Sequence, residues 1–132
     1  MIPTLAFRFI LTIGIIFLGW VIFHFLQLAN LNRIEHNPNS LPIPKPGVTT
    51  IVYFTTPDCV VCKTTQRPAL ASLQEKMMDR LQIIEVNAYE KPDMAKAWGV
   101  MSVPTTFILD SQGKPRHVNY GVTPMEKLYG QI

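Results

Sequence analysis

Residues 9–32, FILTIGIIFLGWVIFHFLQLANLN, contain no Asp, Glu, Lys, Arg or proline, and Arg8 and Arg33 bracket them. As a helix, these 24 positions reach roughly 36 Å, against a bilayer hydrocarbon core of about 30 Å. The segment is apolar on every side, whereas a helix packed on a soluble core keeps one polar face. A cleaved signal peptide is the other reading, but a cut after Ala29 puts Gln27 where a small residue is needed. A retained transmembrane anchor fits best. His24 and Gln27 lie toward its C-terminal end, within reach of the interface, and His24 alone signals no ligand site.

This anchor removes a quarter of the chain from the folding problem and leaves room for one domain. Basic residues near the span bias its orientation weakly: the amino terminus and Arg8 stand against Arg33 and a more distant Lys45, with Glu35 opposing. The short N-terminal flank, residues 1–8, favours N-in and C-out, so a single-pass protein with its domain on the extracytoplasmic side is expected. The net charge of +3 belongs to the N-terminal part. From Gly47 onward nine Lys and Arg face eight Asp and Glu, a near-neutral balance that gives nucleic-acid binding no support.

Residues 33–47, RIEHNPNSLPIPKPG, contain four prolines and read as an extended, semi-rigid linker. From residue 48 the pattern is that of a compact α/β unit. VTTIVYF is a β-branched and aromatic run of strand length that ends at Thr55-Thr56-Pro57. A helix follows, with Leu70, Leu73, Met77 and Leu81 at helical spacing, and Pro68 is expected to kink it. LQIIEVNA is a second strand, and KPDMAKAWG is a short helix with Gly99 as its stop. PTTFILD and PRHVNYG form a hairpin across a turn in which Gly113 takes a positive φ, and Thr123 is expected to cap a last helix. The first two strands, joined by a helical crossover, should be parallel and the hairpin antiparallel, giving a mixed sheet with helices on both faces.

The only cysteines, Cys59 and Cys62, lie at the junction of the first strand and its helix. Two buried thiols, half of a metal site and a redox couple are the available readings. A metal site needs two further ligands, and the domain offers one histidine, His117, far along in the last strand. The redox reading has a physical logic. A helix N-terminus presents unpaired N–H groups and a partial positive charge, which favour a thiolate at Cys59. Cys62, three residues on, lies one turn deeper on nearly the same face, where it can resolve a mixed disulfide.

From residue 48 to 132 the sequence resembles the thioredoxin family, through TIVYF running into CVVCK, the Pro68 kink, AWGVMSVPTTFILDSQGKP, and Gly121 after the last strand. The resemblance covers about two thirds of the chain and lacks the family's extra N-terminal strand and helix. It implies an α/β thioredoxin-like fold and a cis peptide bond before Pro104, facing the dithiol. It also implies that the backbone of Val103, with Pro104, Val60 and Val61, meets an extended substrate peptide.

Two departures stand out. The family's disulfide reductants usually carry Gly-Pro between the cysteines and Trp before them; here Val60-Val61 and Asp58 take those places. A carboxylate beside Cys59 opposes its thiolate, although it is also placed to cap the helix, and Lys63 acts the other way. In addition Tyr53 replaces the family's buried acid, and Glu85 stands where a buried lysine usually partners it. A carboxylate inside a central strand needs a reason. Glu85 is expected to replace the missing acid and take the proton of Cys62, the alternative being that it reaches solvent past the sheet edge.

The sequence therefore predicts a membrane-anchored thiol-disulfide oxidoreductase that reduces protein disulfides, with no bound cofactor or metal. A redox partner must regenerate it. A disulfide oxidase or isomerase on the same scaffold, and a non-enzymatic chaperone or metal carrier whose dithiol binds a protein or a soft ion such as Cu(I), are the alternatives.

Overall fold

The computed structural model describes residues 2–35 and 44–132, with side chains described over 4–32 and 44–132. Most of the predicted linker, including Pro38 and Pro42, lies outside the described residues. The chain divides into two units, residues 1–30 and 31–132.

The first unit is helical, within α1 (Ile2–Glu35). Thr4–Asn32 is long and apolar enough to cross a membrane, and the side chains from Thr4 to Leu26 are exposed. Trp20 stacks on His24 with ring centroids 5.7 Å apart, and the Thr12 hydroxyl returns a hydrogen bond to the Phe9 carbonyl at 2.9 Å.

The second unit carries a four-stranded sheet in the order β2-β1-β3-β4. Strand β1 (Thr49–Thr55) runs parallel to β2 (Leu81–Asn87) and antiparallel to β3 (Thr105–Leu109), which forms a hairpin with β4 (Pro115–Tyr120). Alternate residues of β1 feed opposite faces, as a strand's two-residue period requires. On one face Ile51 and Tyr53 pack with Ile108, with Leu70, Leu73 and Met77 of α2 (Arg67–Met77), and with Leu128 of α4 (Met125–Gly130). On the other, Val52 and Phe54 pack with Phe107, Val118 and Trp98, which directly follows α3 (Pro92–Ala97). Phe54, Trp98 and Phe107 form a fully buried aromatic cluster, the last two edge-to-face at 4.8 Å. The mixed sheet with helices on both faces is as the sequence predicts.

Three local features differ from expectation. Helical backbone begins at Val60, and Cys62–Gln66 form a π turn before α2. Pro68 therefore sits in the first turn of α2. The missing Pro68 N–H is absorbed by a widened turn in which Arg67 N–H bonds to the Cys62 carbonyl. Secondly, Thr123 is not the cap of α4. Pro124 occupies that position; the Thr123 hydroxyl donates instead to the Gly121 carbonyl at 3.2 Å, and both backbone polar groups of Thr123 are engaged by the buried Gln66 amide, at 2.8 and 3.1 Å. This clasp ties the π turn to the segment entering α4. Thirdly, residues at the end of the predicted linker are held by the domain: Lys45 N–H donates to Gln82 Oε1 at 2.8 Å and Gly47 N–H to the Ser111 carbonyl at 3.0 Å.

A disulfide cleft at one end of the sheet

Several segments converge where β1 ends. The chain turns through residues 56–59, closed by the Cys59 N–H on the Thr56 carbonyl at 3.2 Å, and the helix then starts. Parallel pairing brings the end of β2 alongside, where the Ala88 N–H bonds to the Thr55 carbonyl at 2.9 Å. Antiparallel pairing brings in the start of β3, with Thr105 opposite Phe54. The peptide bond between Val103 and Pro104 is cis, as the resemblance implies, and the Pro104 carbonyl accepts the Gly121 N–H at 2.8 Å. Gly121 has φ +84°, a conformation open to glycine, which suits the chain reversal after β4.

Cys59 and Cys62 are joined in a disulfide, S–S 2.11 Å. The two sulfurs are unequal: Cys62 is fully buried, whereas Cys59 is partly exposed. Cys59 Sγ accepts the Cys62 N–H at 3.2 Å, so the first cysteine sulfur occupies a capping position at the helix start. Beside it opens a cleft of about 550 Å³, lined by Cys59, Val60, Val61, Tyr89, Met101 and Val103 among others. Val60, Met101 and Tyr89 are strongly exposed at 69%, 89% and 65%, an apolar rim around one reactive sulfur. Among the described residues, the backbone of Val103 has no hydrogen-bond partner.

Among the described residues, Asp58 is the one charged side chain lining the cleft. It does not cap the helix through any described hydrogen bond; its carboxylate accepts the Tyr89 hydroxyl at 3.1 Å. Hydrogen bonds from Thr56, from its own backbone and from Tyr89 hold its carboxyl below the usual carboxylate range, with Lys63 a lesser influence, so it is ionised at neutral pH.

Glu85 lies elsewhere than expected. Among the described residues β2 is the outermost strand of the sheet, not a central one, and the Glu85 side chain is 45% exposed and ion-paired with Arg67. The edge lets the carboxylate keep its water, so burial gives it no special character. It does share the α2 face with its register neighbour Tyr53. Tyr53 is buried, and its hydroxyl approaches the Cys62 carbonyl at 3.4 Å. Burial pushes the Tyr53 phenol above its ordinary value of 10.0, the Glu85 charge adds to this, and Thr55 and Arg67 oppose it.

The sequence left Tyr89, Met101 and Gln66 unassigned. Met101 lies two residues before Val103 in the segment that carries the family resemblance, and that proximity was the available signal. Tyr89 and Gln66 act through contacts across 31 and 57 residues of chain, which no local pattern encodes.

A strand-to-helix junction holding a disulfide with one accessible sulfur, in this sheet order, defines a thiol-disulfide oxidoreductase of thioredoxin-like fold. The thioredoxin family profile matches residues 41–132, and the chain belongs to that family. It is 35% identical over 75 residues to the thioredoxin of Bacillus subtilis, covering 57% of this chain and 70% of that one. Among solved structures, chloroplastic thioredoxin z aligns with a TM-score of 0.58 at 25% identity, over 64% of this chain and 74% of the other. A thioredoxin-2 of a malaria parasite aligns with a TM-score of 0.61 at 18% identity, over 67% and 84%, a likeness of fold.

Proposed function

We propose that this protein reduces disulfides in other proteins, from a domain held outside the cytoplasm by the α1 anchor. The observation that carries the reading is the asymmetric Cys59–Cys62 disulfide at the mouth of an apolar cleft. In the reduced protein the Cys59 thiolate attacks one sulfur of the substrate disulfide, forms a mixed disulfide and releases the other sulfur as a thiolate. Cys62 then loses its proton and attacks Cys59 Sγ. This frees the second substrate sulfur and leaves Cys59–Cys62 oxidised. Two electrons pass to the substrate, and a separate membrane or thioredoxin-like donor must restore the dithiol.

Two features support the reducing direction. An oxidising dithiol protein owes its strength to a stabilised reduced form, usually a low-pKa thiolate. Here the Cys62 N–H favours the Cys59 thiolate, and the ionised Asp58 next to it works against that stabilisation. The absence of a Lys or Arg from the cleft lining leaves Asp58 unopposed within it.

Val103, with its unpaired backbone, is assigned to hydrogen-bond an extended substrate, while Pro104, Val60 and Val61 shape the apolar contact. Glu85 is assigned the proton of Cys62. Its place beside Tyr53 on the Cys62 face supports this, whereas its exposure does not.

A Cys62→Ser variant tests the scheme. It should trap mixed disulfides through Cys59, and the wild-type couple should have a reduction potential near those of reducing thioredoxins, about −270 mV. Absence of any trapped partner would sink the enzyme reading, and a potential near −120 mV would reverse the direction. With both cysteines present, the rate of disulfide reduction measured against pH should have a different profile in Glu85→Gln; an unchanged profile removes Glu85 from the mechanism.

A further inference from the structure

The Tyr89 hydroxyl bonds to Asp58 across the cleft, tying the turn before Cys59 to the loop after β2. The loop is itself held: Tyr89 N–H donates to Asn87 Oδ1 at 2.9 Å. The result is an exposed aromatic ring and an ionised carboxylate, one hydrogen bond apart, adjacent in sequence to the reactive sulfur. A carboxylate can accept about four hydrogen bonds, and those from Tyr89, from Thr56 and from its own backbone leave Asp58 short of saturated. Around this pair the lining is apolar or neutral, and Asp58 is its only charge among the described residues.

Such a pair matches one kind of side chain. A Lys or Arg can lay its aliphatic stem along Val60 and Tyr89, place its cationic head against the ring, and donate to the open acceptor sites of Asp58. An acidic side chain in the same place meets an ionised carboxylate in an otherwise apolar cleft. Lys63 is too minor an influence on Asp58 to neutralise it.

We infer that Asp58, positioned by Tyr89, selects substrate segments that carry a Lys or Arg within a residue or two of the cysteine that Cys59 attacks. This rests on the oxidoreductase reading above and adds the class of sequence it acts on. Asp58 also influences the Cys59 thiolate, but that influence is common to every substrate. A ratio of rates on two substrates cancels it.

The test uses the full chain in detergent, reduced beforehand, and two disulfide-linked peptides identical but for Lys or Glu next to the cysteine. At low salt, the second-order rate constant for reduction of the Lys peptide in a single turnover should exceed that for the Glu peptide about fivefold, the scale of one exposed ion pair gained and one repulsion avoided. The ratio should shrink as salt is added. Asp58→Asn should bring it near one, and Asp58→Lys should invert it. Equal rates in the wild type, or a preference that survives Asp58→Asn, overturns the inference and leaves the oxidoreductase reading intact. If neither peptide is reduced by the wild type or the variants, the oxidoreductase reading falls and this inference with it.

Discussion

Tyr53 shows how one side chain ties the sheet to the redox helix. Its ring is buried among Ile51, Leu70 and Ile108, while its hydroxyl approaches the Cys62 carbonyl, which also receives the Arg67 N–H. Its folded pKa is raised above the unfolded value of 10.0. A raised value means that the protonated phenol's contribution is fully present below pH 10 and is lost as pH rises through the folded pKa. The midpoint of denaturant unfolding should therefore decline as the pH rises above about 10. Tyr53→Phe should flatten that part of the curve, because the replacement has no proton to lose. An identical alkaline decline in the variant would assign the effect to another group. The pairing that surrounds this residue was hidden in the sequence. Glu85 read as a carboxylate in a central strand because LQIIEVNA is apolar on either side of it, and β2's edge position depends on a sheet order that no strand contains by itself.

At the scale of elements, the helix after the disulfide shows the limit of pattern reading. The apolar spacing of Leu70, Leu73 and Met77 predicts the helix and its buried face, and both are present. A kink at Pro68 is predicted on the assumption that the proline lies mid-helix. The helical backbone runs unbroken from Val60, and the π turn over Cys62–Gln66 just before Pro68 is what accommodates the proline within it. Pro68→Ala should consequently cost no more than about 1 kcal/mol, mostly from the extra freedom of the unfolded chain. The π turn should persist, since Gln66 is still clasped to Thr123. Chemical denaturation gives the first quantity; a stabilisation of about 3 kcal/mol, the scale of a relieved mid-helix proline, would contradict this account. The dithiol junction and the positive-φ Gly113 were legible because each follows from short-range residue order, and the cis bond before Pro104 because the family resemblance implies it. The Gln66 clasp and the Asp58–Tyr89 tie were not, since both join residues remote in sequence.

For the molecule as a whole, two units impose two solvents. The side chains from Thr4 to Leu26 find no protein cover, which suits lipid, while the second unit buries its own core on both faces of the sheet. The proposed N-in, C-out arrangement makes a direct prediction. After mild reduction, a membrane-impermeant maleimide added to intact cells should label Cys59. Labelling that appears only after lysis would place the domain in the cytoplasm.

The bonds that secure residues 44–47 are at the start of β1, where Lys45 meets Gln82 and Gly47 meets Ser111. The disulfide is at the other end of that strand, about 20 Å away by the rise of seven residues. Residues 44–47 are thus fastened at one end of β1 and the reactive sulfur is at the other. A bulky folded client can approach Cys59 without displacing residues 44–47.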